Sequence, residues 1–536
     1  MLNRLSGLEK MPQRAAFRAL DVACDKPFIG IVIAEGETVL AHQNARTLAE
    51  KVKYGILRAG GEAKISTVAD LCSVNSMNSL GANYLLPLRE QTADAVEILL
   101  SHPMYDGAVF IGAEPATLGG MLLGALRVNL PALFVSCGLM NPVYYANKRI
   151  GYSQIFKTIG KIKNGKLPPE CINEIEFHSA NTYGNNCDDY ESNSMSVFLE
   201  ATGLSLRQDS TAEAYSILKS KLAQESGERI VRMCEDKITP KRLLTKTAFE
   251  CAVKADLAMG SSSFSVLNLL AIAAKLGIPF SLKNWNEMAK ATPRLVKISS
   301  ETNCLMQDFG HAGGVYGLLK QLADGNLIQP NYIVHDERQM SDLLTEAFCN
   351  DKIIKSVTEP WQHASGAGVL TGNVAEEGCV YFSESLKTFS GTAKVFESED
   401  SAVEALLNRQ VEKGDVLVIR NSGPKSGPGM PEICQATALL AGLGLGTEVA
   451  VLTDGRIANL SDGICVGHIV PETSEESFLA FLKDGDPIDI NLVKGKITCS
   501  INAKELRKRK KTKEFTVKEP NTLLKRFAKN VCDANH

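Results

Sequence analysis

Three short apolar runs in the first 140 residues show no alternation between apolar and polar positions. They are Pro27–Ala34, Gly107–Gly112 and Pro131–Cys137. A strand that is buried on both faces has this continuous pattern, whereas a strand with one exposed face alternates. The pattern therefore predicts three strands in the interior of a sheet.

Segments with helical periodicity lie between these runs. Asn44–Ala59 repeats its apolar positions at helical spacing and stops at Gly60-Gly61, and Pro87–Leu100 and Leu118–Arg127 have the same spacing. Strands that alternate with helices predict a mainly parallel, doubly wound α/β/α domain. Ligands of such domains bind beyond the carboxyl ends of the strands, so the residues just after each strand are candidates for a site.

The middle of the chain, residues 152–289, is mostly helical. Met195–Ala201 and Val266–Leu276 are predicted as helices buried on nearly all sides, and the polar loops Tyr183–Ser192 and Gly260–Ser265 precede them. A helix that begins in such a loop offers free N–H groups to an anion. Ordinary capping by a Ser or Asn side chain explains the same composition, and it is the interpretation we favour at each loop taken alone.

Beyond residue 352 the pattern changes to short strand-like runs at regular spacing, separated by turn residues. This spacing is typical of a β-barrel or a sandwich, with one helix predicted at Pro431–Leu443. We therefore place an α/β domain at residues 1–352 and a β-barrel domain at residues 353–536. The predicted strands are Gly368–Thr371, Cys379–Phe382, Ala393–Glu397, Asp415–Arg420, Val449–Thr453, Cys465–Val470, Pro487–Ile490 and Lys496–Ser500.

One loop in this second half combines glycines, prolines and polar side chains. It follows the strand predicted at Asp415–Arg420 and reads Asn-Ser-Gly-Pro-Lys-Ser-Gly-Pro-Gly-Met-Pro-Glu from Asn421 to Glu432. The glycines permit conformations closed to other residues, and the prolines stiffen the loop. A rigid turn without further function fits this composition, but we favour a site element, because loops on rigid scaffolds carry function.

Composition narrows the class of protein. The chain has 536 residues, and its charges nearly balance at 58 − 61 = −3. This balance gives no reason to expect a nucleic acid or a membrane as partner, and the basic run Arg507–Lys511 is interpreted as part of a solvated tail. No apolar run is long enough to span a bilayer, and charged residues interrupt residues 1–20 too often for a secretory signal.

The 14 cysteines are scattered along the chain without a CxxC pair. Neither a zinc ribbon nor a thioredoxin-type motif is therefore supported. In a chain of this size we expect free thiols in a reducing compartment, and hence a cytoplasmic protein.

Several motifs, in their order along the chain, resemble those of the dehydratase family that contains dihydroxy-acid dehydratase and phosphogluconate dehydratase. The resemblance spans nearly the whole chain. It implies an α/β N-terminal domain, a C-terminal β-barrel domain and a homodimer whose active site lies between the domains. The motifs are Leu86–Glu90, Asp308–Val315, Leu370–Ala375, Val418–Glu432, Thr453–Arg456, Gly467–Glu472 and Asp484–Asp486.

The resemblance implies an iron–sulfur cluster held by three cysteines, but this chain lacks a cysteine at each matching position. These positions are Ala41, Ala113 and Asn186, with Cys187 one residue beyond the last. A cluster needs a thiolate at each corner that the protein holds. We therefore expect no cluster of the family type.

The resemblance also implies a Mg²⁺ site and a serine base, and both are altered here. Two of the matching metal-ligand positions carry carboxylates, Glu114 and Glu432, while the other two are Ser73 and Pro115. Two carboxylates are expected to bind Mg²⁺ or another divalent ion weakly, with water completing the shell. The position of the serine base is Ala458, which cannot accept a proton.

We favour a lyase-like enzyme with an altered site that acts on a small polar, carboxylate-bearing molecule. In this hypothesis three groups of residues line the cleft between the domains. Ser422, Lys425 and Arg456 bind the anion, Glu114 and Glu432 act as acid and base or as metal ligands, and His468 or His311 transfers a proton.

Two alternatives stay open. The first is a non-catalytic homologue that senses a ligand or regulates an active relative in a heteromer. The second is a true dehydratase with an unusual cluster built from Cys72, Cys137, Cys187 or neighbouring residues.

Overall fold

The N-terminal half of the computed structural model contains a parallel four-stranded sheet. The structure describes residues 5–77, 79–101, 105–145, 148–180, 182–512 and 522–535. The sheet strands are β1 (Phe28–Ala34), β2 (Glu62–Val68), β3 (Gly107–Gly112) and β4 (Ala132–Ser136), and a short hairpin of β5 (Val143–Tyr145) and β6 (Lys148–Ile150) follows. The strand order is β2-β1-β3-β4, with every pairing parallel. All residues of β1, β3 and β4 are buried, which confirms the three strands predicted from apolar runs.

The sequence pattern does not predict β2, and the exposure of this strand explains why. β2 lies at the edge of the sheet, and most of its side chains are partly exposed. Its polar residues Glu62, Lys64 and Ser66 therefore interrupt the apolar pattern that marks the other three strands.

Helices surround the sheet: α1 (Met11–Ala19), α2 (Ala45–Arg58), α3 (Ser73–Ser76), α4 (Leu85–Leu100), α5 (Pro115–Val128), α6 (Ser153–Lys163), α7 (Ile172–His178), α8 (Ser194–Ala201), α9 (Ile217–Asp236), α10 (Pro240–Leu243), α11 (Lys246–Ala258), α12 (Ser263–Leu276), α13 (Leu282–Ala291), α14 (Met306–His311), α15 (Gly314–Asp324) and α16 (Met340–Thr345). α2 and α9 pack on each other and on the sheet, as do α4 and α5. This arrangement confirms the predicted doubly wound α/β domain.

The strands of the C-terminal half are β7 (Ala367–Gly372), β8 (Ala375–Ser383), β9 (Thr388–Phe396), β10 (Asp415–Ile419), β11 (Glu432–Ile433), β12 (Ala450–Thr453), β13 (Arg456–Ile457), β14 (Ile464–Val470), β15 (Pro487–Asn491) and β16 (Lys496–Cys499). Eight of them close into a barrel in the order β10-β12-β14-β8-β7-β16-β15-β9. Each barrel strand overlaps one predicted strand, so the β-barrel prediction is confirmed. Its interior is filled by apolar side chains such as Leu370, Val418 and Val466.

The helices of this half are α17 (Glu399–Leu407), α18 (Gln435–Leu443), α19 (Ala503–Thr512) and α20 (Thr522–Asn530). The helix predicted at Pro431–Leu443 begins later, at Gln435, because Glu432 and Ile433 form β11. β11 pairs in parallel with β13 outside the barrel, which places Glu432 opposite Arg456.

One apolar core extends across both halves of the chain. Side chains on the outside of the barrel, such as Leu417 and Val451, belong to the same buried cluster as those of the N-terminal sheet, whereas the barrel interior is a separate cluster. Helix α18 packs closely on α6. The approach is so close that a Cβ added to Gly160 would lie only 2.7 Å from Gly442 Cα. The halves are therefore joined by buried apolar surface.

Within the part of the chain that the structure describes, no helix combines the length and apolar character needed to cross a membrane. The basic run Arg507–Lys511 lies in α19, and its members are exposed except for Arg509. Arg509 is buried and donates to Asp486 Oδ1 at 2.9 Å and to the carbonyl oxygen of Phe481 at 3.0 Å. One member of the predicted solvated run thus fixes α19 to the barrel.

Candidate active site

A cavity of about 120 Å³ lies between the carboxyl ends of the N-terminal strands and the β11–β13 pair. This is the position that ligands take in doubly wound domains. Its charged residues are Glu114, Glu191, Glu432 and Arg456, and its apolar wall includes Leu40, Ala41, Leu85, Pro115, Met140 and Phe264. The sequence-predicted carboxylates Glu114 and Glu432 therefore line one cavity, together with the predicted anion ligand Arg456.

Residues that follow β1, β2 and β3 meet beside this cavity. His42 follows β1, and its Nδ1 contacts the carboxylate of Asp70, which follows β2. The backbone N–H of Ala113, just after β3, donates to His42 Nε2 at 2.6 Å. In this arrangement Nε2 faces the backbone N–H of Ala113 and Nδ1 faces Asp70.

Asp70 is the charged member of this pair. Its Oδ1 accepts the backbone N–H of Leu71 at 2.9 Å and the hydroxyl of Thr117 at 3.2 Å. An ionised carboxylate is the form that only accepts hydrogen bonds. An ionised Asp70 carboxylate therefore lies beside the cavity, in contact with His42.

Glu114 occupies the position just before α5 and is only 9 % exposed. Its Oε1 accepts the backbone N–H of Ser73 at 3.4 Å. Burial, and then the charge of Asp70, raise the pKa of Glu114 to about 7. Near neutral pH this carboxyl can therefore either donate or accept a proton.

Arg456 is fixed by three contacts in the opposite wall. Its Nε donates to the carbonyl oxygen of Met430 at 3.1 Å, and its Nη1 lies 3.5 Å from Glu432 Oε1. The guanidinium carbon lies 4.5 Å from the ring centroid of Phe264, a cation–π contact. The remaining nitrogen, Nη2, is buried and has no hydrogen-bond partner among the described residues.

Glu191 lies beside Glu432 in the same wall. Burial, and then the neighbouring charge of Glu432, raise the pKa of Glu191 well above its ordinary value, although Arg456 acts in the opposite direction. Two carboxyls this close share a proton, because both cannot ionise without strong repulsion. The pair therefore presents one carboxylate and one carboxylic acid to the cavity.

The loop rich in glycine and proline is held on two sides. Asp454 accepts the backbone N–H of Ser422 at 2.9 Å on the barrel side. On the other side, Asn83 Nδ2 donates to the carbonyl oxygen of Pro428 at 2.9 Å. Gly429 has a φ of +98°, and a Cβ there would lie 1.7 Å from the carbonyl oxygen of Asn83. This docking fixes the position of Glu432 at the end of the loop.

Four predicted site residues do not line the cavity: Ser422, Lys425, His468 and His311. Ser422 is buried in the loop, whereas Lys425 and His311 are exposed. His468 is fully buried in β14, and burial, followed by the charge of Arg456, lowers its pKa to about 3. The roles assigned to these four residues stay predictions.

A second chamber of about 210 Å³ adjoins the cavity and shares Tyr152 and Glu432 with it. Its cations are already paired: Lys157 with Glu301 at 2.9 Å, and Arg294 and Lys297 with Glu384. Helix α12 begins in the wall of this chamber, where Ser262 Oγ accepts the N–H of Ser265 at 3.0 Å. The capping interpretation of this Ser-rich loop is confirmed.

The thiols near the cavity do not fit the iron–sulfur cluster that the resemblance implies. Cys72 is the lining thiol, and burial, followed by the charge of Glu114, raises its pKa. Cys187 packs in an apolar cluster with Met140, and Cys137 is fully buried. One protonated thiol cannot supply the corners of a cluster. Among the residues that the structure describes, no group of three or more His, Cys, Asp or Glu side chains could hold a metal ion.

Three residues of the site, His42, Asp70 and Glu191, have no role in the hypothesis drawn from the sequence. Asp70 follows the unpredicted strand β2, so the rule for strand ends could not point to it. His42 follows a predicted strand, and this position is the signal that could have identified it. Glu191 lies in a polar loop with Asp188 and Asp189, and nothing in the sequence distinguishes it from them.

Comparison with known proteins gives full-length matches. Family models of the dihydroxy-acid/6-phosphogluconate dehydratase N-terminal and C-terminal domains match residues 26–343 and 352–536. A dihydroxy-acid dehydratase of Pyrococcus furiosus is 36 % identical over 536 residues, which cover 99 % of this chain and 97 % of the relative. Dihydroxy-acid dehydratases of Pyrococcus abyssi and Ruminiclostridium cellulolyticum are 35 % and 34 % identical, again over 99 % of this chain, and over 97 % and 98 % of their own. The chain therefore belongs to the dihydroxy-acid/6-phosphogluconate dehydratase family.

Proposed function

We propose that this chain is a lyase-like enzyme that acts on a small polar, carboxylate-bearing molecule without the iron–sulfur cluster implied for its family. The observation that carries the proposal is that Arg456, a buried cation, lines one cavity together with the carboxyls Glu114 and Glu432. A guanidinium is a preferred protein ligand of a carboxylate, which it binds through charge-assisted hydrogen bonds. The relatives are named for dihydroxy acids, which carry such a carboxylate.

The carboxyl groups of the cavity supply the acid and the base that elimination of water requires. In this reaction a C–H and a C–O bond break, a C=C bond forms and water leaves. The enol from a dihydroxy acid then moves a proton to carbon 3 and becomes the 2-oxo acid, whereas the enamine from an amino acid becomes an imine, which water hydrolyses to the 2-oxo acid and ammonia. Glu114, with its pKa of about 7, protonates the leaving hydroxyl. The ionised member of the Glu191–Glu432 pair accepts the proton from carbon. Arg456 stabilises the charge that builds up on the substrate carboxylate.

A divalent metal has a subordinate place in this proposal. Glu114 and Glu432 offer the oxygen ligands that Mg²⁺ prefers, but two carboxylates hold it only weakly. No step of the proposed reaction is therefore assigned to a metal ion.

The test is turnover of a panel of 2,3-dihydroxy and 2-amino-3-hydroxy acids of three to six carbons, followed through the carbonyl group of the 2-oxo acid product. Replacement of an acid or base in the site, as in Glu114→Gln or Glu432→Gln, is expected to lower kcat by about 100-fold or more. Glu287→Gln, at an exposed position of α13, is the matched control. Unchanged turnover in Glu432→Gln would refute the assignment.

The family likeness also leads us to propose a homodimer. Native mass spectrometry of the purified chain tests this, and the same measurement addresses the regulatory alternative. A stoichiometric heteromer with an active relative, without turnover by this chain, would favour a non-catalytic homologue over the enzyme.

A further inference from the structure

The last residues that the structure describes are docked on the rest of the protein. Leu524 of α20 is fully buried, and Ala534 and Asn535 are only 3 % and 6 % exposed. Asn535 Nδ2 donates to the carbonyl oxygen of Gly378 in β8 at 3.1 Å, and its backbone N–H donates to Asp533 Oδ1 at 2.9 Å. The ends of most chains are poorly ordered unless such contacts tie them down.

Ala534 belongs to a small apolar cluster to which both halves of the chain contribute. This cluster is separate from the main apolar core, and two of its members, Ala116 and Phe264, also line the cavity. The C-terminal segment is therefore packed together with residues of the cavity wall. The cluster consists of Leu86, Ala116, Phe264, Leu267, Met430, Val470 and Ala534, with Phe527 of α20 packed against it.

Two members of this cluster are the residues that hold Arg456. The ring centroid of Phe264 lies 4.5 Å from the guanidinium carbon, and the carbonyl oxygen of Met430 accepts the Nε proton at 3.1 Å. Met430 has a φ of +54°, a backbone conformation that persists only where the surrounding structure enforces it. The Met430 side chain is fully buried in the cluster, so packing there helps to set the position of its carbonyl group.

We propose that Ala534 and Asn535 are positioning residues for Arg456, which they influence through the cluster that contains Phe264 and Met430. This inference rests on the proposed function, in which Arg456 binds the substrate carboxylate. A close-packed interior transmits small displacements, so a change at the chain end should move the ring and the carbonyl group that fix the guanidinium.

A matched pair of substitutions separates this role from a general effect of added charge. Ala534→Asp places a carboxylate in the apolar cluster, where its burial is unfavourable. Cys532→Asp places the same charge two positions earlier, at an exposed residue. A third variant, Asn535→Ala, removes the hydrogen bond to Gly378 and leaves the cluster without a new charge.

Hydrogen–deuterium exchange read by mass spectrometry on the full chain tests the positioning without a ligand. The reporter is the peptide that contains β13, in which the N–H of Arg456 donates to the carbonyl oxygen of Pro431 at 3.2 Å. Exchange there is expected to be 10-fold or more faster in Ala534→Asp and unchanged in Cys532→Asp, while exchange in β1 stays the same in both. Unchanged exchange in β13 overturns the inference. If Ala534→Asp also loses protection in β1, Asn535→Ala decides, with an increase of about 3-fold or more expected in β13 alone.

Steady-state kinetics tests the consequence for the substrate, with the 2,3-dihydroxy acid that the wild type converts fastest as probe. Ala534→Asp should raise KM about 10-fold with a smaller change in kcat, because the contact between Arg456 and the carboxylate already exists in the bound substrate. Ala534→Ser, with a side chain of similar volume, and Cys532→Asp should keep the wild-type KM. A lower kcat at unchanged KM would overturn the inference but not the proposed function. A wild type without turnover would refute the proposed function, and the exchange measurement would still decide whether the chain end holds Arg456.

Discussion

Substitution of Gly429 by alanine tests whether the glycine- and proline-rich loop holds the site together. Two costs are expected, because Gly429 has a φ of +98° and the new Cβ would lie 1.7 Å from the carbonyl oxygen of Asn83. Backbone strain at such a φ costs about 1–3 kcal/mol. Displacement of the Leu80–Tyr84 turn adds about 1–3 kcal/mol, as overpacking does in a close-packed interior.

Gly414 offers a matched control for this substitution. Its φ of +88° is similar, but a Cβ there meets no atom within 4 Å. The Gly414→Ala variant therefore has the backbone strain but no steric clash. The free energy of unfolding of Gly429→Ala should be about 1–3 kcal/mol lower than that of Gly414→Ala.

Urea denaturation measures the difference, with the fluorescence of the buried Trp285 and far-UV circular dichroism as two probes of unfolding. Since the loop positions Glu432, Gly429→Ala should also weaken ligand binding in the cavity, and Gly414→Ala should not. Equal stability of the two variants would refute the docking of this loop on Asn83.

Three further predictions concern buried charge and iron. The pKa of Glu114 is about 7 in the folded state and 4.5 in the reference state, so between these pH values the folded chain binds one proton more than the unfolded chain. The free energy of unfolding should therefore fall by roughly 3 kcal/mol as pH rises through this window. Denaturation of wild type and Glu114→Gln at pH 5 and pH 8 measures this change. Lys219 is fully buried and donates to Asp209 Oδ1 at 2.8 Å and to Ser136 Oγ at 2.7 Å. Lys219→Met should lower the free energy of unfolding by about 3–5 kcal/mol, and Asp209→Asn in the same chain should recover part of this loss. A loss below about 1 kcal/mol would contradict the burial of this ion pair. Protein purified without oxygen should be colourless, and stoichiometric iron with labile sulfide would overturn the argument from the lining thiols.

The sequence is most informative where burial is uniform. The runs Pro27–Ala34, Gly107–Gly112 and Pro131–Cys137 predict β1, β3 and β4 within one residue at each end, because both faces of these strands are covered. The barrel strands are predicted for a related reason, since turn residues separate them at regular spacing. The edge strand β2 is missed because its exposed face admits Lys64 and Ser66.

The candidate site is less predictable, because it depends on which side chains the two halves bring together. Glu114 and Arg456 are 342 positions apart, and only the packing of the halves places them in one cavity. Lys425 and Arg456 are equally plausible anion ligands from the sequence, yet Lys425 is exposed and Arg456 is buried. The orientation of the His42 ring depends on the backbone N–H of Ala113, 71 positions away, which no sequence pattern predicts.

The apolar core shared by the two halves has a consequence for how the chain melts. Leu417 and Val451 face away from the barrel interior and belong to the apolar cluster that continues into the N-terminal half, where the contact between α18 and α6 buries surface of both halves. A barrel fragment expressed alone would expose this surface and aggregate, and a nick between the halves would not release a stable piece. The chain should accordingly unfold in one cooperative calorimetric transition, in which the cavity between the halves is lost at the same temperature as the two halves themselves.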